Sequence, residues 1–96
     1  MNRIAFENYL TYYVGPNGKH LTARAIASRL KKANEAERVL KHTLDVSVAT
    51  DVQMRTDLIR LRTNNAQERR YGQMQNALRK YYHMAHAHWF PRLRDI

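Results

Sequence analysis

Ninety-six residues carry 17 lysines and arginines against 8 aspartates and glutamates, a formal net charge of +9 with the histidines neutral, and no cysteine. Disulfide frameworks, thiolate zinc sites and cysteine nucleophiles are therefore excluded together, and a hydrophobic share of 44% excludes a disordered polycation. A chain this short supports one thin-cored domain over residues 1–96, with no room for a deep cofactor cleft.

No run of apolar residues is long enough to span a bilayer, and Glu7 interrupts the segment where a signal peptide would need apolar residues. These features predict a cytoplasmic protein with no membrane partner. Positive charge in that compartment meets DNA and RNA as the abundant polyanions.

Few breakers interrupt the chain: Gly15, Pro16 and Gly18 share one loop, Gly72 stands alone and Pro91 lies near the end. From Ile4 to Tyr13, Phe6, Tyr9, Leu10 and Tyr13 recur at helical spacing and predict a first helix. Thr22 stands where an N-cap belongs. Ile26, Leu30, Ala33, Glu37 and Leu40 then repeat at steps of three and four, predicting a second helix over residues 22–41. Leu44-Asp45-Val46-Ser47-Val48 reads as a connector whose Leu44 and Val46 plug the core. Thr50 and Gln53 form a capping-box pattern that opens a third helix, with Met54, Leu58 and Leu61 inward. Thr63-Asn64-Asn65 breaks it, because these side chains compete for local backbone bonds. A fourth helix is predicted from about Ala66, its seam running through Tyr71, Met74, Leu78, Tyr81 and Ala85 to Trp89. Gly72 faces away from that seam, marking either a close approach or nothing. The fold class expected is all-α, a compact bundle of four helices.

Two helical faces collect the charge. Arg24, Ser28, Lys31, Glu35 and Arg38 line up on helix two, away from its apolar seam. On helix four, Arg69, Gln73, Asn76, Lys80 and His83 share one line, with Arg70, Arg79 and His86 beside it. Any solvated helix can be charged, but it usually intersperses acids with bases, since opposite charges four residues apart support the helix. From Arg69 to His88 there is no acid. A polyanion would relieve that self-repulsion, and the mixture suits DNA: Lys and Arg hold phosphates, while Asn, Gln and Arg can read base edges.

The pattern resembles the N-terminal core-binding domain of tyrosine recombinases and phage integrases. The likeness lies in Tyr9-Leu10 of the opening helix, in Leu21-Thr22-Ala23-Arg24-Ala25-Ile26 at the entry to the second, and in Asn76-Ala77-Leu78-Arg79-Lys80-Tyr81-Tyr82 of the last. It covers most of residues 4–86 and is carried mainly by apolar spacing. The resemblance implies a SAM-like helical bundle gripping one side of a DNA duplex, with Arg24, Lys31, Asn76, Arg79 and Lys80 toward it. It also implies a phage or mobile-element origin, in the cytoplasm or nucleoid of a bacterial or phage-infected cell. The family's catalytic domain has no counterpart among these residues, which leaves a DNA-binding domain separated from a longer protein or a small protein that grips without cutting.

Catalytic and metal chemistry find little footing. His83 and His86 lie one helical turn apart, but His88 falls on another side of the helix and no carboxylate follows until Asp95, so no metal and no cofactor is expected; histidines on a basic face, partly protonated against phosphate, are the better account. Tyrosines at helical spacing read as core rather than nucleophiles, no acids are paired, and Gly15-Pro16-Asn17-Gly18 is no phosphate loop. Trp89-Phe90-Pro91 is expected to end the last helix and fold an aromatic plug against helix one, with stacking on an unpaired base as its functional alternative. The expectation is a non-enzymatic double-stranded DNA-binding domain. Its alternatives are an RNA or single-strand binder that stacks bases on Tyr12, Tyr82 and Trp89, and a basic module that meets an acidic protein.

Overall fold

The computed structural model describes residues 1–63 and 68–93, with the side chains of 68–71 outside that description. Five helices follow in order: α1 (Arg3–Tyr12), α2 (Ala23–Leu40), α3 (Leu44–Ser47), α4 (Asp51–Thr63) and α5 (Glu68–His86). The fold is an all-α bundle, and among the described residues the only β-type pairing is an isolated antiparallel bridge between Val14 and His20.

Helix starts follow the local chemistry of the chain. The Asn2 side chain accepts from the Ala5 amide at 3.1 Å, and Thr22 Oγ1 accepts from Ala25 N at 3.1 Å, each satisfying one of the first-turn amides that a helix leaves unpaired. Thr50 Oγ1 accepts from Gln53 N at 3.1 Å; the Gln53 side chain is turned toward Asp57, to whose Oδ1 its Nε2 donates at 3.0 Å, and among the described residues it makes no bond back to Thr50 N. Helix ends are less regular. Lys41 after α2 and Ala87 after α5 both take left-handed backbone angles, φ 62° and 61°, so their amides close back on Glu37 O and His83 O at 2.8 Å. Ala87, rather than Pro91, thus ends α5 and turns the chain back.

The core is one cluster. Phe6 and Leu10 of α1, Leu30, Ala33, Ala36 and Leu40 of α2, Met54, Leu58 and Leu61 of α4, and Met74, Ala77, Leu78, Tyr81 and Tyr82 of α5 are all buried. Helix α5 packs against both α2 and α4, and α1 leans on α2. Each large side chain withdrawn from water contributes about 1.5 to 3 kcal/mol. Leu44 plugs the core as expected, whereas Val46 points to solvent because Leu44–Ser47 winds into the short α3 instead of running extended. Ala85 shares the phase of the α5 seam yet is exposed. Glu37, also in phase with a seam, is half-buried and accepts from Leu44 N at 2.8 Å, fixing the α2–α3 corner. The expected break at Asn64-Asn65 and start near Ala66 lie outside the described residues, as does the side chain of Tyr71.

Asp57 is fully buried and accepts from Gln53 Nε2, from Arg60 Nη1 at 3.4 Å and from His42 at 2.7 Å. Arg60 Nη2 also donates to Leu40 O at 3.0 Å, so the network ties the end of α2 to α4. Ser47 Oγ approaches the same ring at 3.2 Å. Serine, histidine and aspartate here do not form a proton relay: a relay uses both ring nitrogens, whereas Ser47 and Asp57 share Nε2 and both are sealed from solvent. The trio braces the fold.

Candidate nucleic-acid interface

The sequence-predicted cations fall into two groups. Arg24, Ser28, Lys31 and Arg38 are exposed on the face of α2 opposite Leu30, Ala33 and Leu40, as their spacing requires. Lys31 and Arg38 line, with Arg3 and Asn34, a groove of about 410 Å³ between α1 and α2. Glu35, on the same stripe, is drawn into an ion pair with Lys32 at 3.2 Å.

On α5, Gln73 and Asn76 are exposed, while Arg79, Lys80 and His83 are half-buried rather than fully outward. The physical reason is the segment after Ala87, which returns along this helix. Arg79 Nη1 donates to Phe90 O at 3.1 Å. Lys80 Nζ lies 4.9 Å from the Tyr13 ring centroid and 5.8 Å from that of Trp89. His83 stacks on Trp89 with centroids 4.1 Å apart and planes 18° apart, and its Nδ1 is 2.7 Å from the Tyr9 hydroxyl. Arg69 and Arg70 lie on α5, with side chains outside the described residues.

Two cations that helical phase did not single out complete this second group. Burial, and then the neighbouring Arg92, hold the Arg79 guanidinium below its usual range. Burial, and then Arg29, do the same to the Lys80 ammonium. Arg29 sits on the flank of α2 facing α5, and Arg92 lies beyond the last helix. Asn76, Arg79, Lys80 and Arg92 surround a recess of about 260 Å³ beside Trp89 and Phe90. Lys80 and Arg29 also line a second recess of about 650 Å³ with Lys19 and His20. The α1–α2 loop supplies the last two: Gly15 N donates to Lys19 O at 3.1 Å, and Gly18 adopts φ 74°, which a side chain would resist. Among the described residues no carboxylate lines either recess.

Aromatic side chains run between these cations. Tyr9 lies 5.8 Å from Tyr13, and Tyr13 meets Trp89 edge-on at 6.3 Å. Trp89 thus packs toward helix one as expected, while Phe90 is buried edge-on against Tyr82 at 5.2 Å. Tyr82 itself is buried and donates to Asp51 at 2.9 Å, so it presents no stacking surface. Tyr12 and Trp89 are 78% and 45% exposed.

The remaining histidines are occupied within the fold. His86 Nε2 donates to Val48 O at 2.7 Å, and His88 Nδ1 donates to His86 O at 3.1 Å. Among the described residues no three metal-ligating side chains converge, and no helix is long and apolar enough to cross a membrane. No family model matches the chain, and neither a curated protein nor a solved structure matches it.

Proposed function

We propose that the chain is a non-catalytic double-stranded DNA-binding domain, of the SAM-like core-binding kind that its α2 and α5 phrases resemble, from a phage or mobile element. The duplex lies where the cations of α2 and α5 meet: Arg24, Ser28 and Arg29 on one helix, Asn76, Arg79 and Lys80 on the other, with Arg92 following. One observation carries the reading. Arg29 stands beside Lys80 and Arg92 beside Arg79, close enough to repel, and no described carboxylate lines the recesses they share. Folding alone gives no reason to gather like charges, and phosphates would neutralise them. Asn76 and Gln73, exposed on the same helix, have the donors and acceptors to contact base edges.

Fluorescence anisotropy with a labelled duplex tests this. With about five to seven phosphate contacts, log K falls against log salt with a slope near −0.9 per contact. Binding that scarcely changes between about 50 and 200 mM salt, or a hairpin RNA or acidic protein that outcompetes the duplex at equal charge, would overturn the proposal.

A further inference from the structure

Beside the cationic recesses lies an open groove of about 830 Å³ whose walls include Tyr12, Tyr13, Val14 and Trp89, with Asn8 and His83 as its polar members. Tyr12, Val14 and Trp89 leave 78%, 50% and 45% of their surface in solvent. Large apolar side chains kept exposed together in one concavity mark a binding surface more often than a solvated one. The groove is continuous with both basic recesses: Tyr13 is shared with the one that holds Lys19, His20, Arg29 and Lys80, and Trp89 with the one that holds Arg79 and Arg92. The ammonium of Lys80 stands above Tyr13 and Trp89, where it can meet a phosphate attached to whatever occupies the aromatic surface.

The occupant must therefore offer a flat apolar face and an anion tethered to it. A nucleotide does both, but only when its base is unpaired, because bases inside a duplex expose edges and not faces. We propose that the Tyr12–Tyr13–Trp89 groove takes an unpaired nucleobase from a single-stranded flank of bound DNA, so that the chain prefers duplex–single-strand junctions to blunt duplex. This inference rests on the duplex reading above and adds to it the form of DNA recognised. A proline-rich peptide would also fit an aromatic groove, but it supplies no charge for the cationic rim.

Trp89 is the only tryptophan of the chain and stands between this groove and one basic recess, so the depth of quenching reports which of the two is occupied. The full chain is titrated with a blunt duplex, with the same duplex carrying a short oligothymidine overhang, and with a polyproline peptide. The overhang should tighten binding about tenfold and quench Trp89 more deeply than the blunt duplex does. Tyr12→Ala should lose the preference for the overhang and keep the affinity for blunt duplex; Trp89→Phe should retain the preference. Tyr12 is exposed and lines neither basic recess, so its truncation leaves the fold and the duplex site in place. Equal affinity for the two DNAs, unmoved emission at saturation with the overhang, or quenching by the peptide instead overturns this inference alone. Failure of both DNAs to bind removes the duplex reading as well.

Discussion

Neutralising Arg29, Lys80 and Arg92 together, each to Gln, separates binding from folding. Their structural work is small. Arg29 makes a long 3.4 Å bond to Ala25 O within its own helix, Arg92 is exposed, and Lys80 gives up a contact with two rings that is worth about 0.5 to 1 kcal/mol at a half-open site. Relief of the repulsion between Lys80 and Arg29 offsets part of that loss, so the folded state should move by less than about 1 kcal/mol. The effect on DNA is larger and has a distinctive form. Three phosphate contacts at about 0.9 each flatten the slope of log K against log salt by roughly 2.7. Between about 50 and 200 mM salt the ratio of native to variant affinity should therefore shrink about 40-fold. Anisotropy titrations across that range read the slope directly, and circular dichroism verifies the fold. A folded triple variant whose slope stays within about 0.5 of the native value would refute the assignment of this face. Arg79 is left out deliberately, since its bond to Phe90 O anchors the returning segment and its loss would confuse the two effects.

Two further outcomes follow from local chemistry. A Cβ at Gly72 would meet nothing within 4 Å among the described residues, so of the two readings of this helical glycine the structure favours no close approach. Gly72→Ala should stabilise the chain by about 0.5 to 1 kcal/mol and raise Tm by several degrees in a thermal melt; a fall would reveal a partner for that face. Alkali should act in the opposite direction. Burial, as the leading cause, raises the hydroxyls of Tyr9, Tyr81 and Tyr82 above the usual tyrosine range, Tyr81 to about 12 with help from its hydrogen bond to Asp45. The unfolded chain releases those protons near pH 10 while the folded chain retains them, so their contribution is fully present below pH 10. It is lost as pH rises toward 12, by on the order of 2 kcal/mol for Tyr81. Tyrosinate absorbance should then rise together with loss of helix; all six tyrosines ionising by about pH 10.5 with the helices intact would contradict the burial argument.

What the sequence made legible was whatever depends on one helix at a time. Thr22 and Thr50 cap where their spacing to the first apolar residue predicts, and Leu30, Leu40, Met54, Leu58, Leu61, Met74 and Leu78 face the core because their angular phase leaves them no other side. Phase says nothing about what stands opposite. Ala85 keeps the seam's angle but lies in the last turn of α5 and is exposed, and Tyr82, off the seam, is buried because Asp51 and Phe90 close over that flank. Arg29 and Arg92 escaped for the same reason. The first faces a neighbouring helix, and the second reaches α5 only because Ala87 reverses the chain, a left-handed residue that no glycine signalled.

The fold accounts for some of these cations and leaves others without structural work. Arg60 serves Asp57 and Leu40 O, Lys32 serves Glu35, and Arg79 serves Phe90 O; each would be explained in a protein that bound nothing. Among the described residues Arg24 and Lys31 make no hydrogen bond or ion pair, and Arg29 and Arg92 act on Lys80 and Arg79 by repulsion. Exposed single charges contribute little to stability in either direction, so this surplus is not maintained by folding, and its cost grows where Arg29 meets Lys80 and Arg92 meets Arg79. A ligand that brought several negative charges to that face at once would turn the same repulsion into binding free energy, largest at low salt and screened away as salt rises. The distinction between structural and surplus cations is therefore also a ranking of variants: charge removal at Arg60 should unfold before it unbinds, and removal at Arg29 and Arg92 should unbind a chain that remains folded.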